Sequence, residues 1–297
     1  MMLDPSVLQA PLLDPRRLDL SAARRVSYIL EQSFRYEYDA PVASLRQRLI
    51  IVPPVRHGNQ HRRAHKLEVN GAPVRRRVRR DAHGNVVALL QAEQVPQAIE
   101  FRLAAVIERV RDDGPPVLPA SALDSPHLLR PTRLTAADDR LRAMAADLAP
   151  RRGSGDPEET AGRICDAVSA AITYEYGITS VTSTAAQALD FGRGVCQDYA
   201  HVMLALCRLL RMPARYVSGH LLGQGGTHAW VEVIVPRSDH AEAIAFDPCN
   251  GRRTGAGYVT VATGRDYADV APTSGSYVGP AGGRLTSGRR VGILAAA

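Results

Sequence analysis

The chain has almost no lysine and few aromatic residues. Of its 37 basic residues only Lys66 is a lysine, and aromatic residues make up 5% of the 297 positions, with a single tryptophan. The net charge is +7. Because nearly all the basic residues are arginines in an alanine-rich chain, GC-biased codon usage accounts for this excess as well as a selected patch does. A basic charge alone therefore does not indicate nucleic-acid binding, and we expect no nucleic-acid partner.

Long hydrophobic runs and paired cysteines are also missing. No segment approaches the ~20 apolar residues of a membrane helix, and the first residues lack the basic start and apolar core of a secretory signal. The four cysteines show neither CxxC nor zinc-finger spacing, which favours reduced thiols over disulfides or a zinc framework. There is no EF-hand calcium loop. We expect a cytoplasmic, metal-independent protein that has no cofactor and no membrane partner.

The most informative segment is 190–212, DFGRGVCQDYAHVMLALCRLLRM. Its apolar residues recur at spacings of three and four, which predicts a helix with one buried face. Cys196 falls at the first turn of this helix, where unpaired backbone N–H groups and the helix dipole stabilise a thiolate. Gly192 and Gly194 allow the entering backbone to turn tightly. We interpret Cys196 as a nucleophile, and the other three cysteines as core residues: Cys165, Cys207 and Cys249.

A histidine and an aspartate follow at the ends of two predicted strands. His228 begins the alternating run HAWVEVIV, and Asp247 ends the run IAFD. Because neighbouring strands lie about 4.8 Å apart, the two side chains are placed to hydrogen-bond. With Cys196 they form a candidate nucleophilic triad. The backbone N–H of Cys196 is a candidate oxyanion donor, and Gln197 and Trp230 are supporting candidates, although Trp230 could equally pack in the core.

These residues also carry a family resemblance. The segments GVCQDYAHVMLALCRLLRMPARYVSGH, THAWVEV and FDPCN resemble the bacterial transglutaminase-like superfamily, whose catalytic core is papain-like. Upstream, YEYDAPVASLRQRLIIVP and DAHGNVV resemble that family's N-terminal β-domain, and GRDYADVAPTSG resembles its C-terminal segment. The resemblance places Cys196, His228 and Asp247 at the family's triad positions. One departure is that the Gly-Trp pair often found between the His and Asp strands is replaced by PRSDHAEAIAF.

The predicted fold class is α+β. We expect an N-terminal antiparallel β-sandwich followed by a papain/transglutaminase-like core, in which helices pack on an antiparallel sheet. We expect the residues from about Gly279 onward to be weakly ordered. The predicted divisions are a flexible arm over 1–22, the β-domain over 23–112, a linker over 113–134 and the catalytic domain over 135–297.

Several polar residues have a structural and a functional interpretation. The cluster Arg75–Arg80 (RRRVRR) is interpreted as a solvent-facing strand, with an anion site as the alternative. Asp198 is expected to cap the Cys196 helix, and Arg265 and Asp266 are expected to have structural roles. Three histidines at four-residue spacing are expected to be solvated rather than metal-bound: His57, His61 and His65.

The pattern predicts an enzyme in which a cysteine attacks an amide or peptide carbonyl and forms an acyl-thioester. The family resemblance favours hydrolysis, as in a protease or amidase, over transfer to an amine by a transglutaminase. The expected partner is a peptide or protein substrate, or an amide-containing small molecule. A non-catalytic binding module is the alternative, and it predicts a buried or disulfide-bonded Cys196 with His228 out of reach. A metal site is a further alternative, with these possible ligands: Cys196, His201, His220 and His228.

Overall fold

The computed structural model describes residues 4–149, 155–279 and 282–297. Parts of three predictions lie outside the described residues: the start of the arm at 1–3, the segment 150–154 of the catalytic domain, and 280–281 of the weakly ordered tail.

Strands dominate the first part of the chain, where apolar and polar residues alternate. In β1, for example, Tyr28, Leu30 and Phe34 share one face and are buried. The strands are β1 (Arg25–Tyr38), β2 (Val42–Val52), β3 (Arg56–His57), β4 (Gln60–Asn70), β5 (Arg75–Arg80), β6 (Val86–Val95) and β7 (Ala98–Val110). All six residues of β5 are exposed, so the arginine cluster lies on a solvent-facing strand.

The rest of the chain is mixed. Its helices are α1 (Pro126–Leu129), α2 (Asp139–Leu148), α3 (Pro157–Ala171), α4 (Ala185–Phe191), α5 (Cys196–Leu209) and α6 (Tyr267–Val270). None of the described helices is long and apolar enough to span a membrane. Its strands are β8 (Val117–Pro119), β9 (Thr173–Tyr174), β10 (Arg193–Gly194), β11 (Ala214–Leu221), β12 (His228–Pro236), β13 (His240–Asp247), β14 (Arg252–Arg253), β15 (Tyr258–Gly264), β16 (Thr273–Val278) and β17 (Gly283–Ala296).

Two antiparallel sheets form the β-rich half. One has the order β17-β1-β7-β4-β3 and the other β16-β2-β6-β5. Side chains from both contribute to one hydrophobic cluster, which includes Phe34, Leu49, Leu90 and Phe101. The strands on either side of the Asn70-Gly71 turn belong to different sheets, so this turn carries the chain from one sheet to the other.

The last two strands return to these sheets, because β17 pairs with β1 and β16 pairs with β2. The division that placed all of 135–297 in the catalytic domain is therefore wrong for these strands. The expectation of a weakly ordered tail is also wrong for 283–296. The stretch GRLTSGRR lacks apolar alternation because it forms a largely exposed edge strand, and backbone pairing rather than burial fixes its structure.

The arm and the linker are also tied to the fold. Leu13 forms a β-bridge with Ile293, so residues of the arm lie on β17. The predicted linker contains β8, which pairs with β13 and extends the sheet of the mixed half of the chain. The arm was expected to be flexible and 113–134 to be a linker, and both segments contain several prolines. Prolines are compatible with the edge positions that these segments occupy.

The mixed half, from β8 to α6, consists of helices packed on a sheet of order β14-β13-β12-β11-β15. Alternate residues of β12 face in opposite directions. Ala229, Val231 and Val233 join the same core as α5. On the other face, Glu232 contacts His57 of the β-rich half, with a 2.6 Å distance between Oε1 and Nε2. His57 is thus a partly buried contact between the two halves rather than a solvated residue.

The β-rich half also forms hydrogen bonds with β15, the edge strand of the sheet in the mixed half. The Gln60 carboxamide donates to the Thr260 carbonyl (2.7 Å) and accepts from the Thr260 N–H (2.8 Å). Asn85 bonds Thr263 in the same two ways, at 2.7 and 2.9 Å. Each carboxamide takes the place of a peptide unit on a neighbouring strand, so the edge of β15 is satisfied without a further strand.

Candidate active site

Cys196 begins α5, and the loop before it is fixed by a polar cap. The Asp198 carboxylate accepts from the Val195 N–H at 2.8 Å and from the Thr179 hydroxyl at 2.6 Å. A Cβ at Gly194 would lie 2.6 Å from Asp198 Oδ2, so the cap requires glycine at this position. Burial raises the pKa of Asp198, and these two hydrogen bonds oppose the rise. Asp198 thus has the capping geometry expected from its place in the first turn.

The Cys196 thiol is free and half-buried. Its Sγ lies 4.0 Å from the Thr227 carbonyl oxygen, directly before His228. The backbone N–H groups of Cys196 and Gln197 have no acceptor within the described part of the chain, as is usual in the first turn of a helix. They are therefore available to a negatively charged oxygen near the sulfur.

His228 and Asp247 form a buried pair. The distance between His228 Nε2 and Asp247 Oδ2 is 2.7 Å, and the two residues are 3% and 0% exposed. Burial alone would lower the pKa of His228, but hydrogen bonds with Asp247 and Cys196 raise it to about 9. Because Nε2 faces Asp247, Nδ1 is the nitrogen left for the sulfur. The raised pKa of His228 favours a charged imidazolium next to the Cys196 sulfur.

Asp247 also accepts hydrogen bonds from residues other than His228. Its Oδ2 also accepts from Asn250 Nδ2 at 2.6 Å and from Tyr258 Oη at 2.7 Å. Its Oδ1 accepts from the backbone N–H groups of Cys249 and Asn250. Burial would raise the pKa of Asp247, but the hydrogen bonds from these partners hold it below its ordinary value. The carboxylate is therefore kept ionised and in one orientation.

Asn250 and Tyr258 are site residues that the sequence analysis missed. Asn250 stands three residues after Asp247 in the turn DPCN, and an Asx-type turn was the available signal. Tyr258 begins a separate strand, and no spacing connects it to Asp247. Its hydroxyl also accepts from Arg252 Nε at 3.1 Å, which fixes the donated proton toward Asp247.

The two supporting candidates lie beside the triad. Trp230 is buried, with its ring centroid 6.1 Å from that of His228 and 5.4 Å from that of Tyr258. The Gln197 side chain is buried and donates to the Ser180 carbonyl at 3.4 Å. The Trp230 ring therefore lies next to the imidazole of His228, and the Gln197 carboxamide points toward Ser180. Their functional roles remain predictions.

Other candidates have different partners. His201 Nε2 accepts from the Tyr267 N–H, and His220 Nε2 lies 2.9 Å from Gln32 Nε2. Within the described ranges, no group of three or more His, Cys, Asp or Glu is arranged to hold a metal ion. Arg265 pairs with Asp269 at 2.8 Å. Asp266 caps α6 by accepting from the Ala268 N–H.

Two exposed tyrosines lie on the approach to the cysteine. β9 pairs in parallel with β10, which leads through Val195 to Cys196. Tyr174 in β9 is 56% exposed, and Tyr176 just after it is 86% exposed. Burial raises the pKa of Tyr174. Because Tyr174 pairs with Gly194, these tyrosines lie next to the segment that leads to Cys196.

The turn of the segment that departs from the family pattern lies away from the site. The segment that replaces the Gly-Trp pair forms the β12–β13 hairpin, whose turn follows Pro236. Val231 pairs with Phe246 near the His228 end, whereas Pro236 pairs with Ala241 at the other end. The turn is therefore at the far end of the hairpin from the His228–Asp247 pair.

Comparisons with known proteins agree with this geometry. Residues 143–248 match the transglutaminase-like superfamily, and residues 28–108 match the bacterial transglutaminase-like N-terminal region. The chain is 27% identical over 281 residues to the uncharacterized protein Rv2569c of Mycobacterium tuberculosis, covering 84% of this chain and 83% of that protein. It is 33% identical over 162 residues to the uncharacterized protein ML0607 of Mycobacterium leprae, covering 51% and 55%.

A solved structure shares the fold. The crystal structure of a proposed cysteine protease from Cytophaga hutchinsonii matches with a TM-score of 0.72 at 23% identity, over 91% of each chain. The two family matches cover the β-rich half and the half that contains Cys196, in the order that the sequence analysis expected. The chain belongs to the transglutaminase-like superfamily, with a bacterial transglutaminase-like N-terminal region preceding its core.

Proposed function

We propose that this protein is a cysteine-nucleophile enzyme that acts at an amide or peptide carbonyl through an acyl-thioester. The observation that carries the proposal is the position of Cys196 at the start of α5, beside His228, whose Nε2 is 2.7 Å from the buried Asp247 carboxylate. A retained fold without activity would have no need of this arrangement. The thiol is also free and only half-buried, which counts against the binding-module alternative.

The reaction has two stages. Cys196 Sγ attacks the carbonyl carbon, and the oxyanion forms next to the unpaired Cys196 and Gln197 N–H groups. The C–N bond then breaks as the His228 imidazolium gives its proton to the leaving amine. In the second stage His228 takes a proton from the incoming nucleophile, which attacks the thioester carbon. The C–S bond breaks and Cys196 returns as the thiolate.

We propose that water is the usual acceptor, which makes the reaction a peptide or amide hydrolysis that needs no metal. The description of the Cytophaga hutchinsonii protein as a proposed cysteine protease supports this choice. Transfer to an amine, as in a transglutaminase, is the alternative. The two are separated by incubating peptide substrates with and without a primary amine, and by measuring free acid against amide product by mass spectrometry. Predominant amide product would make the enzyme a transferase.

Labelling of the thiols tests the nucleophile itself. The rate of iodoacetamide alkylation of each cysteine is measured from pH 5 to 9 by peptide mass mapping. We expect Cys196 to react fastest below about pH 7 because a thiolate paired with an imidazolium persists there. His228→Ala should slow it, whereas His240→Ala, which removes an exposed histidine paired with Asp239, should not. Alkylation of Cys196 no faster than that of Cys249 would refute the proposal.

We also propose that the protein works in the cytoplasm. All four cysteines are free in the structure, as is usual for proteins in a reducing compartment. Cell fractionation with antibody detection tests this, and recovery from a periplasmic or extracellular fraction would contradict it.

A further inference from the structure

A cavity of about 320 Å³ lies where the β-rich half meets the mixed half. The β-rich half contributes His57, Asn59 and Arg109 to its lining, and the mixed half contributes Glu232 and Tyr258 among others. The three triad residues are not among the described residues that line it, so this cavity is separate from the candidate active site. Its volume is at the lower end of the range for small-molecule sites.

Arg109 brings a positive charge without a counter-ion to this cavity. Its Nη1 donates to Asn59 Oδ1 at 2.8 Å, and its Nη2 donates to the Tyr258 carbonyl at 2.6 Å. Both acceptors are neutral, and no carboxylate of the described residues forms an ion pair with this guanidinium. The Nε of Arg109 is buried and has no acceptor among the described residues. The guanidinium therefore keeps both an unused donor and an unbalanced charge.

Arg111 adds a second charge of the same kind. It lines the same cavity and is exposed. Its Nη1 donates to the carbonyls of Ser21 at 2.9 Å and Ala22 at 3.1 Å. These acceptors are again neutral, and Arg111 forms no ion pair with any residue that the structure describes. Two arginines without counter-ions thus share one cavity.

The other charged side chains of the cavity are already paired. Glu232 lies 2.6 Å from His57 Nε2 and accepts from Arg215 Nε at 2.7 Å. Arg253, which also lines the cavity, forms an ion pair with Glu158. The Glu232 carboxylate is therefore neutralised by its own partners and does not balance the two free arginines. Once these pairs are set aside, the charges of Arg109 and Arg111 remain.

The charge of the cavity selects its ligand. A partly buried guanidinium has lost hydration, and an oxyanion compensates this loss by accepting from its N–H donors. Two positive charges match a phosphate group, which carries about −1.5 to −2 at neutral pH, better than they match a single carboxylate. We propose that this cavity binds the phosphate group of a small molecule through Arg109 and Arg111. The proposal does not depend on the chemistry of Cys196.

Calorimetric titration with inorganic phosphate tests the site, at neutral pH and constant ionic strength. We expect one saturable site with a Kd of about 1 mM or below, and at least about tenfold weaker binding of acetate. Arg109→Met and Arg111→Met should each weaken phosphate binding about tenfold or more. Arg77→Met is the matched control, because it removes an exposed arginine on β5, outside the cavity, and it should bind phosphate as the wild type does.

Three results would overturn the proposal: no saturable binding of phosphate to the wild type, acetate binding as tightly as phosphate, or equal affinities in the Arg77 and Arg111 variants. The last result would indicate phosphate held elsewhere on a basic surface. If Arg109→Met does not fold, Arg111→Met still tests the site, because Arg111 is exposed. Thermal unfolding gives a second readout, since a ligand of the folded state raises Tm. Phosphate should raise the Tm of the wild type more than that of Arg111→Met, and equal shifts would contradict the assignment.

Discussion

Asp247 accepts hydrogen bonds from three side chains and two backbone N–H groups, more than orientation of one histidine requires. The extra bonds disperse its charge and fix its plane. Tyr258 contributes from the strand β15, which the β-rich half holds through Gln60 and Asn85. The position of the His228–Asp247 pair therefore depends on a residue that never contacts the histidine nitrogen.

Replacement of Tyr258 by phenylalanine tests this support. The substitution removes one hydrogen bond to a buried carboxylate, and we expect kcat/KM to fall about tenfold. Tyr199→Phe is the matched control, because its hydroxyl donates to the Ile172 carbonyl, outside the Asp247 network. Steady-state kinetics with a peptide substrate measures both. An equal loss in the two variants would indicate a general packing defect rather than support of Asp247.

The raised pKa of His228 predicts the alkaline limit of activity. The imidazolium is present below about pH 9 and is lost above it, so kcat/KM should fall as the pH rises through about 9. The same shift contributes stability that is complete below the unfolded value of about 6.5 and disappears as the pH rises through 9. Asp247→Asn removes the main partner and should move the alkaline limit downward. Asp190→Asn, at an exposed ion pair with Arg140, should leave it unchanged.

The triad residues were predictable because each has a local signal. Cys196 starts an amphipathic helix, and His228 and Asp247 mark the ends of strands. The structure pairs His228 with Asp247 and places Cys196 next to the residue before His228, and the catalytic role of the three residues stays a prediction. Asn250 and Tyr258 were not predictable in the same way, because polar residues that bond to a buried carboxylate have no periodicity.

The element that positions the nucleophile is the turn into α5. Its cap depends on the close approach of Gly194 to the Asp198 carboxylate, and any side chain at 194 competes for that space. The sequence indicated a helix start with glycines before it. Which glycine is essential could not be predicted, because the requirement comes from Asp198 folding back across the turn.

Gly194→Ala tests the cap. Its Cβ would lie 2.6 Å from Asp198 Oδ2, so the carboxylate must move and the Val195 N–H loses its acceptor. We expect a loss of about 2 kcal/mol in the free energy of unfolding and slower alkylation of Cys196. Gly225→Ala is the matched control, because a Cβ there meets no atom within 4 Å. Denaturant unfolding and thiol labelling measure both effects, and equal stability of the two variants would contradict this account.

At the scale of the whole molecule, the two halves share a buried ion-pair network. Glu232 of β12 pairs with His57 at 2.6 Å and with Arg215 at 2.7 Å. Burial alone would raise the pKa of Glu232, but His57 and Arg215 lower it to about 2. This carboxylate therefore resists protonation. Its contact with His57 joins the sheet of the mixed half to the β-rich half.

The lowered pKa of Glu232 predicts that the stability of the fold decreases in acid. A carboxyl group with a depressed folded pKa contributes stability above its unfolded value, about 4.3, and loses it as the pH falls toward 2. The contribution is on the order of 3 kcal/mol for a shift of this size. Thermal unfolding of the wild type and Glu232→Gln from pH 6 to 3 measures it. The difference in Tm should be largest at pH 6 and shrink with acid, and a pH-independent difference would contradict the linkage.

The pairing of β17 with β1 has a consequence for biosynthesis. The Glu31–Arg290 contact spans 259 residues, so the outer edge of β1 is unpaired until almost all of the described chain has been made. Such long-range pairing slows folding, and an unpaired strand is a hazard for aggregation on the ribosome. Cys196, His228 and Asp247 all precede β17 in the chain. The candidate site is therefore synthesised well before β1 receives its last partner.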